Sequence, residues 1–319
     1  MTYRNRPLRQ RHPLRNLFLF TGIANLSALL LAFQPLPQKL FAFSKPSVPD
    51  EAPTYPLPSD VPMLKGAVAS QLETIDAQLV LLEASLTPAN SYAIPAQFQG
   101  QTFEKVELLS GEKVVALTFD DGPMPDTPRV LDILKKYQIP STFFVVGSHM
   151  EAYPDLMKRI VEEGHAVGNH TWHHDYHVID DATAAAELGR TADLLKELTG
   201  VQTRLFRPPG GVLTNGLVDY AARNNYAVAM WSLDSLDYRL NIGGIAERVI
   251  GGIHPGALVL LHDGGGPREA TVQALPQIIE ALQKQGYRFV TLPQLLRMKA
   301  EETKKAEAGT LYNPFEISA

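Results

Sequence analysis

The sequence predicts an α/β protein, a parallel sheet covered by helices and arranged either as a barrel or as a doubly wound sheet. Three observations lead there. Between about residues 113 and 297, short apolar runs alternate with helical patterns. The apolar runs are continuous rather than alternating, as strands buried on both faces require. The chain also carries 24 Pro and 23 Gly in 319 residues, too many for a simple helical bundle. In either architecture, reactive side chains collect at the C-terminal ends of the strands.

The elements follow in order. Val114–Phe119 is an unbroken apolar run suited to a buried strand, and Thr127–Tyr137 is helical in pattern. Ser141–Val146 reads as the next strand, Asp155–Glu163 as a helix and His165–Gly168 as a short strand. Ala182–Thr199 is a long helix stopped by Gly200, a residue that takes the left-handed conformation at a helix end without penalty. Thr203–Phe206 and Tyr226–Trp231 are strands on either side of a helix over Asn215–Asn224. Ile245–Ile253 and Glu269–Gln285 are helices, with strands at Ala257–Leu261 and Arg288–Thr291. The whole of 113–297 reads as one catalytic domain, and 298–319 as a charged C-terminal tail.

The N-terminal part is different in kind. Arg4, Arg6, Arg9, Arg11 and Arg15 precede a mostly apolar run from Leu17 to Phe33, and no acidic residue appears before Asp50. A basic stretch ahead of an apolar run reads as an export signal or signal anchor over residues 1–44. The run is at the short limit for a spanning helix, which needs about 17–25 residues. Ala42-Phe43-Ser44 offers small residues suited to a signal peptidase, so the segment is expected to be either removed or kept as a membrane anchor. The arginines would stay in the cytoplasm and the rest of the chain would be exported to the cell envelope. Residues 45–63 are a Pro-rich linker, an extended and semi-rigid spacer. Val68, Leu72, Ile75, Leu79, Leu82 and Leu86 then alternate spacings of four and three, a heptad-like stripe that predicts a helical stalk within 64–112, packed on the catalytic domain.

Composition narrows the chemistry. The 319 residues include no cysteine, which excludes disulfide scaffolds, thiolate metal sites and a thiol nucleophile. Any metal must be held by His, Asp or Glu. The net charge is −5, and removing the five arginines of the first 33 residues takes it to −10, so a nucleic-acid-binding surface is not indicated. Oligomeric state leaves no signature in the sequence.

Five segments at predicted strand ends carry candidate chemistry. Thr118-Phe119-Asp120-Asp121-Gly122-Pro123 ends a buried strand with two carboxylates, and a metal would let both stay ionised side by side. Five of the nine His fall between His165 and His177. Within that cluster His170 and His174 are four apart, so on a helical turn they would face one ion. His165, His173 and His177 read as surface or supporting residues. Arg207-Pro208-Pro209-Gly210-Gly211 is a rigid turn whose backbone amides could stabilise an oxyanion. Trp231 to Tyr238 sets Asp234 and Asp237 among aromatics, which suits sugar recognition. His262 follows directly on Leu258–Leu261, where a general acid or base could sit. Taken singly, the first of these segments reads as a strand-ending turn, the Arg207 and Trp231 segments equally suit ordinary loops, and a lone His such as His262 is more often structural, while the His cluster favours a metal site over a solvated cluster. Their common position at strand ends fits a single site.

In this order these segments resemble the NodB-type polysaccharide deacetylases, the fourth family of carbohydrate esterases, over roughly residues 113–297. The resemblance implies a distorted (β/α) barrel, often of seven strands. It implies that Asp121, His170 and His174 bind one divalent metal, usually Zn2+ although Co2+ would also serve. Asp120 would be the general base, with Arg207 holding it. His262 would be the general acid, paired with Asp237. The backbone N–H of Gly210 would help stabilise the tetrahedral oxyanion, and Leu260 would line a pocket for the acetate methyl. Tyr238 and Trp231 would wall the sugar groove. The family usually has an aromatic residue where this chain has Gly210.

The implied reaction is hydrolysis of the N-acetyl amide of N-acetylglucosamine-type residues in a polysaccharide, and export favours peptidoglycan as that partner. Chitin, xylan and exopolysaccharide are alternative substrates. A small-molecule amidohydrolase or a non-catalytic glycan-binding module on the same fold are the alternative functions.

Overall fold

The strand expected at Val114 runs further than its apolar residues do. β3 spans Val114–Gly122, all buried, and continues through the two acids. The protein is described by a computed structural model over residues 91–309. The export segment, the Pro-rich linker, the apolar stripe of 68–86 and the last ten residues lie outside the described residues.

The elements occur in the predicted alternation. β1 (Ser91–Tyr92) and β2 (Thr102–Phe103) precede β3. After it come α1 (Thr127–Tyr137), β4 (Thr142–Val145), α2 (Gly147–Ala152), α3 (Pro154–Glu162) and β5 (Ala166–Asn169). α4 (Asp181–Thr199) is capped by Asp180, which accepts from the Thr183 amide, and ends at Gly200 with φ 74°. β6 (Gln202–Thr203), β7 (Leu205–Phe206), α5 (Leu217–Arg223), β8 (Ala227–Ala229) and β9 (Leu233–Asp234) follow. The chain closes with α6 (Ile242–Gly252), β10 (Ala257–His262), α7 (Glu269–Lys284), β11 (Arg288–Phe289) and α8 (Leu292–Glu307).

The main sheet has the order β2-β8-β7-β5-β4-β3-β10-β9, with β11 beside the start of β3. Every pairing between these strands is parallel. β2 and β9 are its two ends and do not pair with each other, but Lys105, just after β2, bridges to Ala257 at the start of β10, so the sheet curls back on itself as an incompletely closed barrel rather than a doubly wound sheet.

Alternation along the strands sorts side chains to two faces. Val115, Leu117 and Phe119 face outward into a core shared with Val130, Leu134, Ile160, Leu275 and Ile278 of the surrounding helices. Val114 and Ala116 face inward, with Phe144, Leu205, Ala229 and Leu258, and there they meet Leu292, Leu295 and Leu296 of α8. Burying each such side chain contributes on the order of 1.5–3 kcal/mol. α8 closes the lower end of the barrel, and the same inward rows lead upward to Thr118, Asp120, Leu260 and His262.

Two boundaries differ from expectation. Residues 91–112, expected as part of a stalk, belong to the domain. β1 pairs with β6 and β2 with β8, while Ile94, Val106 and Leu108 join the inner core. The charged tail expected from 298 begins inside α8, whose Ala300 is buried and whose Glu302 accepts from the Leu109 and Ser110 amides. Lys and Glu dominate the outer face of that helix, so composition alone hid its packed face.

Candidate active site

Successive residues of a strand point to opposite faces, so Asp120 and Asp121 could not share a site on a regular β3. The register against β4 shifts between Asp120 and Gly122, and Asp121 adopts φ 73°. This irregularity turns Asp121 back to the side of Asp120, and both line one cavity of about 330 Å³ at the C-terminal end of the barrel. A left-handed backbone at a non-glycine residue costs on the order of 1–3 kcal/mol and persists only where its surroundings over-determine it. Here the surroundings are tight, since Gly122 lies against the Asp263 carboxyl and Gly264 against the Asp121 carbonyl.

Arg207 organises the floor. Its side chain is fully buried. Nη1 donates to Asp120 Oδ1 and to Thr118 Oγ1, both at 2.8 Å. Nε donates to the Ala229 carbonyl at 2.9 Å and Nη2 to the Met230 carbonyl at 2.8 Å. The guanidinium lies 4.0 Å from the centre of the Phe144 ring, and that ring fits because Gly168 has no side chain to strike it. Burial pushes the guanidinium below its ordinary value while Asp120 pushes it back. An arginine remains charged across that range. The pair fixes Asp120 Oδ1 and leaves Oδ2 facing the cavity, 3.8 Å from His170 Nε2.

His170 and His174 converge, though not on a helical turn as their spacing suggested. Thr171 and His174 have φ 67° and 62°, and side chains rather than helix carbonyls satisfy the loop amides. Glu187 Oε2 accepts from the Trp172 and His173 amides at 2.9 Å each, and its Oε1 meets His173 Nδ1 at 2.6 Å. Asn169 Oδ1 accepts from the Thr171 amide, and Thr171 Oγ1 accepts from the His174 amide. The result sets the two imidazole centroids 4.8 Å apart. His170 Nδ1 bonds the Arg207 carbonyl at 2.7 Å, which makes Nδ1 the donor and leaves Nε2 as a free lone pair.

Asp121, His170 and His174 each offer a ligand atom within 4.8 Å of one another, the one such trio among the described residues. Asp121 Oδ1 lies 3.4 Å from His170 Nε2 and 3.0 Å from His174 Nε2, yet it is buried without a hydrogen-bond partner. Burial alone would raise the Asp121 carboxyl, and positive charge at the two imidazole Nε2 atoms, as proton or cation, lowers it well below the ordinary carboxylate range. An orphaned buried carboxylate oxygen beside two imidazole nitrogens is a donor set that fits a divalent cation such as Zn2+.

The opposite wall carries the second pair. His262 Nδ1 donates to Asp237 Oδ1 at 2.7 Å, and Asp237 Oδ2 accepts from the His262 amide and from Thr271 Oγ1, both at 2.8 Å. Burial would lower the His262 imidazole, but the hydrogen bond and charge of Asp237 carry it above its usual value, with smaller help from Asp120 and Asp121.

The structure brings the predicted residues together. Asp120, Asp121, His170, His174 and His262 line the cavity, as do Gly210, Trp231, Tyr238 and Leu260. Arg207 and Asp237 stand behind and hold Asp120 and His262. His165 is buried away from the cavity, accepting from the Ser141 amide, and burial pushes it down to about 4. His173 serves the loop through Glu187, and His177 is exposed. Sequence reasoning missed three cavity residues, Tyr176, Arg268 and Gly265. Arg268 donates to the Gly264 carbonyl and brings Nη2 to 4.0 Å from Asp121 Oδ2. It also missed Asp263, fully buried behind the Asp120–Gly122 turn, hydrogen-bonded to Thr127 and raised to about 7 by burial. The only signal for Tyr176 was its place two residues after His174, and Arg268 had none.

The family sequence model described as polysaccharide deacetylase matches residues 109–229. The chain is 40% identical over 202 residues to a peptidoglycan-N-acetylglucosamine deacetylase of Bacillus cereus, covering 60% of this chain and 92% of that protein. It is 38% identical over 207 residues to a chitooligosaccharide deacetylase of a Bradyrhizobium species, covering 59% and 92%. Among solved structures, the Bc1960 peptidoglycan N-acetylglucosamine deacetylase aligns with a TM-score of 0.59 at 34% identity, over 63% of this chain and 94% of that one. With the barrel, the paired acids and the His pair in the expected order, the chain belongs to the NodB-type polysaccharide deacetylases, the fourth family of carbohydrate esterases.

Proposed function

We propose that this enzyme is an exported, metal-dependent deacetylase that hydrolyses the acetamide of N-acetylglucosamine residues in peptidoglycan, releasing acetate and leaving a free amine. The observation that carries the reading is one cavity shared by the Asp120–Arg207 pair, the Asp121, His170 and His174 trio, and the Asp237–His262 pair. Asp121, His170 and His174 would hold the cation, which when bound polarises the amide carbonyl and acidifies the attacking water. Asp120 takes the proton of that water on Oδ2 while Arg207 fixes Oδ1. The Gly210 N–H donates to the oxyanion as the carbonyl becomes tetrahedral. His262, kept protonated by Asp237, gives its proton to the departing amine. Leu260 borders the acetyl methyl, and Trp231 and Tyr238 wall the sugar.

The support for peptidoglycan is the Bacillus cereus relative and the solved deacetylase structure. Five arginines ahead of an apolar run support export, since they would put the catalytic domain on the side of the wall. The chitooligosaccharide relative makes chitin oligomers the competing substrate. Acetate release from purified peptidoglycan and from chitin oligomers, compared at equal N-acetylglucosamine, separates the two. Faster release from chitin oligomers would overturn the peptidoglycan assignment.

A further inference from the structure

The turn after Arg207 carries no side chains at two successive positions, and an aromatic ring occupies the space at each. Gly210 has φ 58° and Gly211 has φ 69°. A Cβ on Gly210 would lie 2.5 Å from Tyr176 Cε1, and one on Gly211 would lie 2.6 Å from Trp231 Cη2. Neither glycine could bear a side chain with these rings in place. Tyr176 also stands edge-on to His174, with centroids 5.1 Å apart at 87°, while across the cavity Tyr238 stands edge-on to His262 at 5.7 Å and 86°.

The Tyr176 ring is held in position rather than left to float. The loop behind it is tied to the loop after the glycine turn by the Ile179 amide donating to the Asn215 carbonyl at 2.9 Å. Gly216, at φ 98°, lets the backbone close on the Ile179 carbonyl, which a Cβ there would strike at 2.5 Å. Asp180 then caps α4. Yet Tyr176 is 56% exposed and lines the cavity. A large aromatic ring fixed at a cavity mouth with a bare face is poised to bury that face against a ligand.

We infer that Tyr176, seated on Gly210, is a substrate-binding wall whose ring packs against the C–H face of a pyranose ring at the cavity mouth, opposite Tyr238. The inference rests on the glycan reading above and adds a specificity residue to it. The side chain missing at Gly210 is what admits a ring from the neighbouring loop.

The test uses the full chain loaded with Zn2+. Binding of the N-acetylglucosamine tetramer is measured by calorimetry in the Asp120→Asn background, and acetate release in the active background. Tyr176→Ala should weaken tetramer binding about tenfold, the loss of a stacked ring, with the kinetic loss falling on KM rather than kcat. Tyr176→Phe should restore most of the binding. Gly210→Ala should displace the ring and weaken binding likewise, and combining it with Tyr176→Ala should add little, as for two changes acting on one contact. Tetramer binding within twofold of the unaltered chain in Tyr176→Ala, independent losses in the double variant, or no tetramer binding by the parent chain would each overturn the inference. If the active chain releases no acetate while Tyr176→Ala still weakens binding, the deacetylase reading fails and the wall stands.

Discussion

Replacing Asp237 by Asn should shift the pH dependence of the enzyme in one direction. Asp237 receives three hydrogen bonds, from His262 Nδ1, the His262 amide and Thr271. Its carboxylate is fully buried, so the bond to an imidazolium is little screened. Such a bond to a charged group contributes on the order of 1.5–3 kcal/mol, and its loss removes the main influence that raises His262. Asp237 raises His262, so its removal lowers the pH at which the imidazole gives up its proton. A general acid works only while protonated, so activity falls on the alkaline side as that proton is lost. The alkaline limb of kcat/KM should therefore move to lower pH. The assay is acetate release from the tetramer across pH 5–10 at saturating Zn2+. An unmoved alkaline limb, or one moved upward, would refute the assignment of His262 as an acid held by Asp237.

Three further outcomes follow from the same contacts. Arg207→Lys offers three N–H donors on one ammonium where four acceptors are now served, so at least one buried acceptor loses its donor. At about 1–3 kcal/mol for each such acceptor, the loss should lower Tm by roughly 2–12 °C and reduce kcat strongly, and an unchanged Tm would contradict the account. Glu187→Gln keeps the size but loses the charge that anchors the loop carrying His170 and His174, so Zn2+ affinity by chelator competition should fall about 10- to 100-fold. Affinity within twofold would assign Glu187 to stability alone. His165 is pushed down to about 4 in the folded state against about 6.5 unfolded. A depressed histidine stabilises fully above the unfolded value and loses that contribution as pH falls toward the folded one. Between pH 7.5 and 4.5 the parent should therefore lose about 2.5 kcal/mol more stability than His165→Gln in urea denaturation, and equal losses would contradict this.

Much of the site was legible because strand chemistry is regular. Thr118, Asp120, Leu260 and His262 fall at the ends of unbroken apolar runs that read directly as buried strands, and β3 and β10 pair Leu260 with Thr118 and His262 with Asp120. Arg207 could be placed as two residues beyond the inward Leu205. What was not legible depends on irregular backbone. The turn that redirects Asp121 and the non-helical loop that joins His170 to His174 are decided by Asp263, Glu187 and Asn169, which lie far away in sequence or are silent in pattern. Tyr176 and Arg268 enter the cavity from loops with no periodicity. The buried face of residues 91–112 escaped because its two-residue strands are too short to show one.

The measurement that bears most directly on the central claim is acetate release from purified peptidoglycan by the Zn2+-loaded chain, by the same chain after chelation, and by Asp120→Asn loaded with Zn2+. The account predicts release by the first alone, with a matching gain of free amine on the N-acetylglucosamine residues in fragment masses, and an Asp120→Asn protein that binds Zn2+ as tightly as the parent. No acetate from any N-acetylglucosamine polymer, or undiminished release by Asp120→Asn, would contradict it.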